Sequence, residues 1–143
     1  MDDFFQAFQE KFKVAAFKIH SNETWTLSLR PNQPTLGSCI ISLNRPLKSF
    51  AKITPEEAIG LNSLIGYTDQ QLSKAFAFDK INYLMLMMVD DHVHFHVIPR
   101  YAEDRMFEGE AWLDTAWQGP PELGGKAIDL GKAKALIAAI QDA

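Results

Sequence analysis

The spacing of hydrophobic positions along this chain changes several times, and each change marks an element. Phe4, Phe5, Phe8 and Phe12 fall at helical intervals and predict a short helix capped by Asp2 or Asp3. From Val14 the period drops to two. Phe17 and Ile19 alternate with polar residues, Ser21-Asn22-Glu23 offers a turn, and Trp25, Leu27 and Leu29 alternate again, predicting a hairpin with one buried face. Two prolines in Arg30-Pro31-Asn32-Gln33-Pro34 demand a loop. After Gly37, the run from Ser38 to Leu43 reads as a strand that Asn44-Arg45-Pro46 ends.

Thr54-Pro55-Glu56-Glu57 combines a capping Thr, Pro in the first turn and Glu at the capping-box position. An apolar helical face continues from Ala58 to Phe76, weakened a little by Gly60 and Gly66. Ile81 to Val89 predicts a buried strand, with Asp90-Asp91 as the only turn before an antiparallel strand at His92 to Ile98. Beyond Tyr101 the chain is irregular, Gly119-Pro120-Pro121 forces an extended segment, and Ala127 to Ala143 predicts a closing helix. Hairpin, strand, helix, strand, strand, helix is the order of an α+β domain with an antiparallel sheet, and 143 residues suit one domain.

Composition adds mainly exclusions. The 18 acidic and 14 basic side chains leave a formal charge of −4 and no basic stripe, which argues against a nucleic acid partner. A small phosphate-bearing ligand stays compatible with a local polar site. The longest apolar run, Leu84 to Val89, is too short to span a bilayer, and the start lacks the order of a signal peptide. Cys39 is the single cysteine and reads as a buried small hydrophobe in a reducing compartment. The expectation is a cytoplasmic protein without a membrane partner. Met85, Met87 and Met88 read as core filling, and His20 as a solvated residue near a turn.

The chemistry concentrates in His92, His94 and His96, three of the four histidines. On a strand these alternate positions share one face while Val93, Phe95 and Val97 line the other. One reading is a metal site, since imidazole suits zinc, copper or iron. The outer pair would stand about 13 Å apart at roughly 3.3 Å per residue, too far for one ion to gather all three rings. A two-histidine site completed by Asp90, Asp91 or a distant Glu is the remaining metal option. The other reading is nucleophilic catalysis, with a neutral imidazole attacking phosphorus while its neighbours orient it and contact the phosphate. A row of solvated or core histidines is the plain structural alternative.

His92-Val93-His94-Phe95-His96-Val97-Ile98 resembles the motif of the histidine triad superfamily, and Pro99-Arg100 resembles its continuation in the dinucleoside polyphosphate hydrolase branch. Trp25 to Arg30 resembles the family's hairpin strand. Pro34-Thr35-Leu36-Gly37-Ser38 followed by Cys39-Ile40-Ile41 resembles its Pro-Gly-His turn and strand, and Thr54-Pro55-Glu56-Glu57 falls where its main helix begins. The likeness runs from about residue 14 to 101, leaving 102–143 as an extension.

The resemblance implies a hydrolase or transferase acting at a nucleotide α-phosphate, with dinucleoside polyphosphates and nucleoside phosphoramidates as candidate substrates. It makes His94 the nucleophile that forms a nucleotidyl-histidine. His92 would support its orientation, and His96 would contact the phosphate or assist the leaving group. It further implies a homodimer whose two sheets join, and no cofactor for the covalent step beyond Mg²⁺ carried by some substrates. Candidate substrate contacts are Leu27 at the base, Ser38 in the turn and Arg100 near phosphate. Three departures stand out. Asp90-Asp91 occupies the place of a Gly-rich phosphate-holding loop, Leu29 the place of a ribose-binding Asn or Asp, and Ser38 the place of the turn histidine. They motivate a second class, a nucleotide-binding or regulatory module with little turnover.

Overall fold

The computed structural model describes residues 3–143. Helix α1 (Phe4–Lys11) leads into β1 (Lys18–Ser21) and β2 (Trp25–Leu29), then the short β3 (Asn32–Gln33) and β4 (Cys39–Leu43). Helix α2 (Pro55–Phe76) precedes β5 (Lys80–Leu84) and β6 (His94–Arg100). A small hairpin of β7 (Arg105–Phe107) and β8 (Glu110–Trp112), the short β9 (Lys126–Ala127) and α3 (Leu130–Gln141) complete the chain. The sheet has the antiparallel order β1-β2-β4-β6-β5, with β3–β9 and β7–β8 as separate pairs.

Register gives this sheet two unlike faces. Leu27 pairs with Ile41, and Ile41 with Phe95; one residue along, Ser28 pairs with Ile40, and Ile40 with His96. Successive side chains alternate, so Trp25, Leu27, Leu29, Cys39, Ile41, Leu43 and Val97 build the main core on one side, with Leu61, Leu64 and Leu72 of α2 and Leu136 and Ile140 of α3. Ser28, Ile40, Ser42, His94 and His96 face the other way. There Phe8, Phe12, Val14 and Ile40 form a second, smaller cluster.

Helix α2 begins as its sequence dictates. Thr54 Oγ1 accepts from Glu57 N at 3.1 Å, and Glu57 Oε1 accepts from Thr54 N at 2.8 Å. Arg45 clamps the same carboxylate at 2.7 and 2.9 Å, and its hydrogen bonds hold Glu57 down to about 2. At α1 the Asp3 side chain makes no capping bond, and Asp2 lies outside the described residues.

One predicted element is corrected. The expected strand from Ile81 to Val89 stops at Leu84, and residues 85–93 form a loop in which Met87 takes a φ of 51°. Leu86, Met88 and Val89 are 45%, 80% and 86% exposed, so Met88 is no core filling, whereas Met85 and Met87 do pack against the main core. Its apolar character fitted a buried strand, but β6, its pairing partner, begins only at His94 and has Leu84 opposite His96. His92 and Val93 precede the strand, where Val93 N donates to Leu47 O at 2.9 Å. A loop therefore does precede the histidines, and it is apolar. The segment read as irregular after Tyr101 carries β7, β8 and β9.

Gly60 marks a close approach between α2 and the hairpin. A Cβ there would stand 2.0 Å from Thr24 Oγ1, and Asn22 Nδ2 donates to Gly60 O at 2.9 Å. Helix propensity alone favours alanine over glycine by about 1 kcal/mol. We expect Gly60→Ala instead to destabilise the fold by about 1 kcal/mol in urea unfolding, because Thr24 must leave its bond to Asn22. A stabilised variant would show that helix and hairpin do not meet so closely.

Candidate active site

The three histidines lie side by side beneath α1, 0%, 1% and 6% exposed in chain order. Phe8 contacts His92 at a ring distance of 5.0 Å and His94 at 4.8 Å, while Phe12 lies 6.1 Å from both His94 and His96. The helical spacing of Phe8 and Phe12 thus serves packing, and the surface they cover is the histidine row. Lys11 of α1 also grips Asp90 at 2.8 and 3.0 Å.

Each ring has its tautomer set by a neighbour. His94 Nδ1 lies 2.5 Å from the carbonyl oxygen of His92. A carbonyl only accepts, so Nδ1 carries the proton and Nε2 keeps its lone pair. His92 Nε2 likewise donates to Leu43 O at 2.8 Å, tying the residue to β4. His96 has the opposite arrangement. Arg30 Nε donates to His96 Nδ1 at 3.3 Å, and a guanidinium cannot accept, so the His96 proton sits on Nε2. The His94 and His96 rings stand 4.9 Å apart at 83°. A bare nitrogen and an N–H donor thus occur on adjacent rings.

Burial is the largest influence on all three. It pulls His92 and His94 below the ordinary imidazole range and, helped by the charges of His94 and Arg30, takes His96 down to about 4. At neutral pH the row is uncharged, the state a nucleophile requires. Asp90 raises His94 and His96, whereas Lys11 and Arg30 lower them.

Two hollows reach the row. One of about 210 Å³ is lined by Leu86, Met87, Met88, Val89, Asp90, His94 and His96. The other, about 270 Å³, lies against Lys11, Phe12, Arg30, Pro31, Asn32, Asp90 and His96. A larger open cavity of about 710 Å³ runs along the outer side of β5 to Trp117–Pro121 and touches none of the histidines.

The other expected site residues lie elsewhere. Leu27 is fully buried on the opposite face of the sheet, so it cannot meet a base beside the histidines. Ser38 is held inside its turn, donating to Thr35 O at 2.9 Å while its amide donates to Gln33 Oε1 at 3.1 Å. Arg100 is only 4% exposed and fully engaged: it binds Asp114 at 2.7 and 3.2 Å, Asn82 Oδ1 at 3.0 Å and Gly119 O at 3.0 Å. Its work is to fasten the C-terminal extension to β5 and β6. Leu29 also points into the main core, and the hairpin residue that reaches the histidines is Arg30. Pairing of Arg30 N with Ser38 O keeps it in phase with Thr26 and Ser28, the polar half of the hairpin, and that alternation was the available signal. His20 is exposed and stacks on Tyr67 at 4.1 Å. Among the described residues, no three His, Cys, Asp or Glu side chains converge so as to hold a metal ion.

No family model and no curated protein matches this sequence. Solved structures do. A histidine triad protein of Sinorhizobium meliloti 1021 superposes with a TM-score of 0.72 at 19% identity, over 91% of this chain and 92% of that one. A hypothetical histidine triad nucleotide-binding protein of Sulfolobus tokodaii strain 7 gives 0.69 at 15% identity, covering 88% and 81%. A histidine triad protein of Marinobacter aquaeolei VT8 gives 0.65 at 18%, covering 91% and 90%. The fold of this chain is that of the histidine triad proteins.

The cover over the row yields a measurable expectation. Phe8→Ala should cost about 3–5 kcal/mol of stability, as aromatic truncations in packed interiors do. It should also speed carbethoxylation of His94, read by peptide mass. Unchanged reactivity would show that α1 does not govern access.

Proposed function

We propose that this protein transfers a nucleotidyl group from a nucleotide substrate to water through a covalent intermediate on His94. The observation that carries the reading is the 2.5 Å contact of His94 Nδ1 with the His92 carbonyl, which leaves Nε2 as a bare nucleophile. The histidine triad fold supports it.

In the first step the Nε2 lone pair attacks the α-phosphorus. The bond from phosphorus to the leaving group breaks, and its electron pair departs with that group. The ring gains positive charge, which the His92 carbonyl stabilises through Nδ1–H. His96 presents Nε2–H to a phosphate oxygen. Water then attacks phosphorus, the P–N bond breaks, its electron pair returns to Nε2, and the water proton passes to solvent. The residues so far assigned need no cofactor; Mg²⁺ would enter only on the substrate.

The reading includes a homodimer. Strand β5 ends the sheet with one edge unpaired among the described residues, and a second copy adding its own β5 there would join two sheets. Sedimentation equilibrium should give twice 16.1 kDa; a monomer would remove this part. Among the described residues no helix is long and apolar enough to cross a membrane; we place the protein in the cytoplasm.

A second reading, a nucleotide-binding module with little turnover, is favoured by the complete burial of the row under α1. One experiment separates them. Wild type incubated with diadenosine tetraphosphate or an adenosine phosphoramidate should show a nucleotidyl adduct by intact mass. His94→Gly should show none and lose at least a thousandfold in kcat/KM. Because the neutral ring attacks and burial depresses its pKa, the acid limb of wild-type kcat/KM should fall below the ordinary value of about 6.5. Binding without adduct or turnover would favour the module.

A further inference from the structure

The hollow beside Arg30 has no role in the steps above. Arg30 is 8% exposed, yet no carboxylate of the described residues forms an ion pair with it. Its guanidinium is held by neutral acceptors only: His96 Nδ1 at 3.3 Å, Asn32 O at 3.1 Å and Gly124 O at 3.2 Å. Its Nη2 has no hydrogen bond among the described residues. A buried cation without an anionic partner is costly, and such a group lining an open pocket calls for an anion from outside. The one carboxylate of the lining, Asp90, favours the Arg30 charge without bonding to it and is held by Lys11, so two cations and one anion leave the pocket with a net positive charge.

Size narrows the occupant. At about 270 Å³ the hollow falls below the range of about 300–1,000 Å³ typical for whole small-molecule ligands. It suits one or two phosphoryl groups and not a nucleoside. Position narrows it further, because the hollow touches His96 but neither His94 nor His92. An anion there lies beyond His96 from the nucleophile, where a leaving group would depart.

The His96 tautomer points the same way. Arg30 occupies Nδ1, so His96 is a neutral ring with its only proton on Nε2, and releasing it would create an imidazolate. Such a ring donates a hydrogen bond but is a poor acid. An amine leaving group needs a proton; a phosphate, whose second pKa is about 6, departs as an anion near neutrality.

We propose that the Arg30 pocket is an anion subsite for phosphoryl groups on the leaving side, so that the substrate is a phosphoanhydride and not a phosphoramidate. This rests on the nucleotidyl-transfer reading for its catalytic part, while the pocket itself does not. In the reaction the α-phosphorus–oxygen bond breaks, the bridging oxygen keeps the electron pair, and Arg30 receives the charge.

Pyrophosphate is the probe. Calorimetric titration should show it binding to wild type and to His94→Gly, more weakly as salt rises. Arg30→Gln should weaken binding at least tenfold, and Arg30→Lys less, since it keeps the charge but loses the fork. Asn32→Asp places a carboxylate in the pocket from an exposed position and should abolish binding, which covers the case that an Arg30 variant fails to fold. In kinetics, Arg30→Gln should lower kcat/KM for diadenosine tetraphosphate about tenfold more than for an adenosine phosphoramidate. Failure of wild type to bind pyrophosphate, or equal losses on the two substrates, would overturn the inference. Pyrophosphate binding with no turnover of any nucleotide upholds the pocket and removes the transfer reading alone.

Discussion

The register of β6 against β4 and of β4 against β2 governs nearly everything else in this molecule. It gives the sheet one apolar face, which α2 and α3 cover, and one polar face, which carries the imidazole row. Covering the polar face with α1 is an awkward arrangement energetically. Phe8 and Phe12 leave water, but they remove water from three rings, and Ser28 Oγ and Ser42 Oγ are buried without partners among the described residues. Each unsatisfied hydroxyl costs about 1–3 kcal/mol. The rings avoid most of that penalty by staying neutral and bonding to Leu43 O, His92 O and Arg30. Neutrality, tautomer and burial are therefore one consequence of the sheet's sidedness.

The legible parts of the sequence were those written in local periods. Alternation located the histidines, and Thr54 with Glu57 located the start of α2, because both signals are complete within a few residues. What failed needed pairing information. Leu27 was placed at a base by likeness to a strand, yet its own alternation with Trp25 and Leu29 already assigned it to the apolar side. Thr26, Ser28 and Arg30 form the polar side, so Arg30 was readable in principle once histidines and hairpin polarity were assigned to one face. The loop at 85–93 was not readable. A short apolar run fits a buried strand and an exposed loop equally, and the outcome depended on where β6 began to pair. The target of the α1 phenylalanines was invisible for the same reason, as it lies some eighty residues away.

The loop before the histidines raises a question of charge. The proposed transfer requires that phosphate be held, and a segment of Leu86, Met87, Met88 and Val89 offers no charge to hold it. The cations stand on the other side of His96, in Arg30 of the hairpin and Lys11 of α1. A guanidinium on a hairpin differs from a ring of backbone amides in kind. It brings a full charge and a planar fork, and it acts on His96 as well as on any ligand. One side chain thereby sets both the proton position on a ring and the electrostatics of the space beside it.

Asp90 completes this balance. It borders both hollows and raises His94 and His96, but Lys11 lies against it and lowers them. The two charges oppose each other at the rings because α1 brings Lys11 there; the ion pair is half exposed and contributes little stability itself. Its importance is positional. With the pair formed, the excess charge near the histidines is that of Arg30 alone, which adds to the burial that keeps His94 and His96 neutral and leaves the pocket beyond His96 positive. The same Asp90 without Lys11 would leave a carboxylate facing the space that the proposed reaction gives to phosphate, and like charges there repel. The helix that covers His94 is thus also the element that makes its surroundings tolerant of an anion.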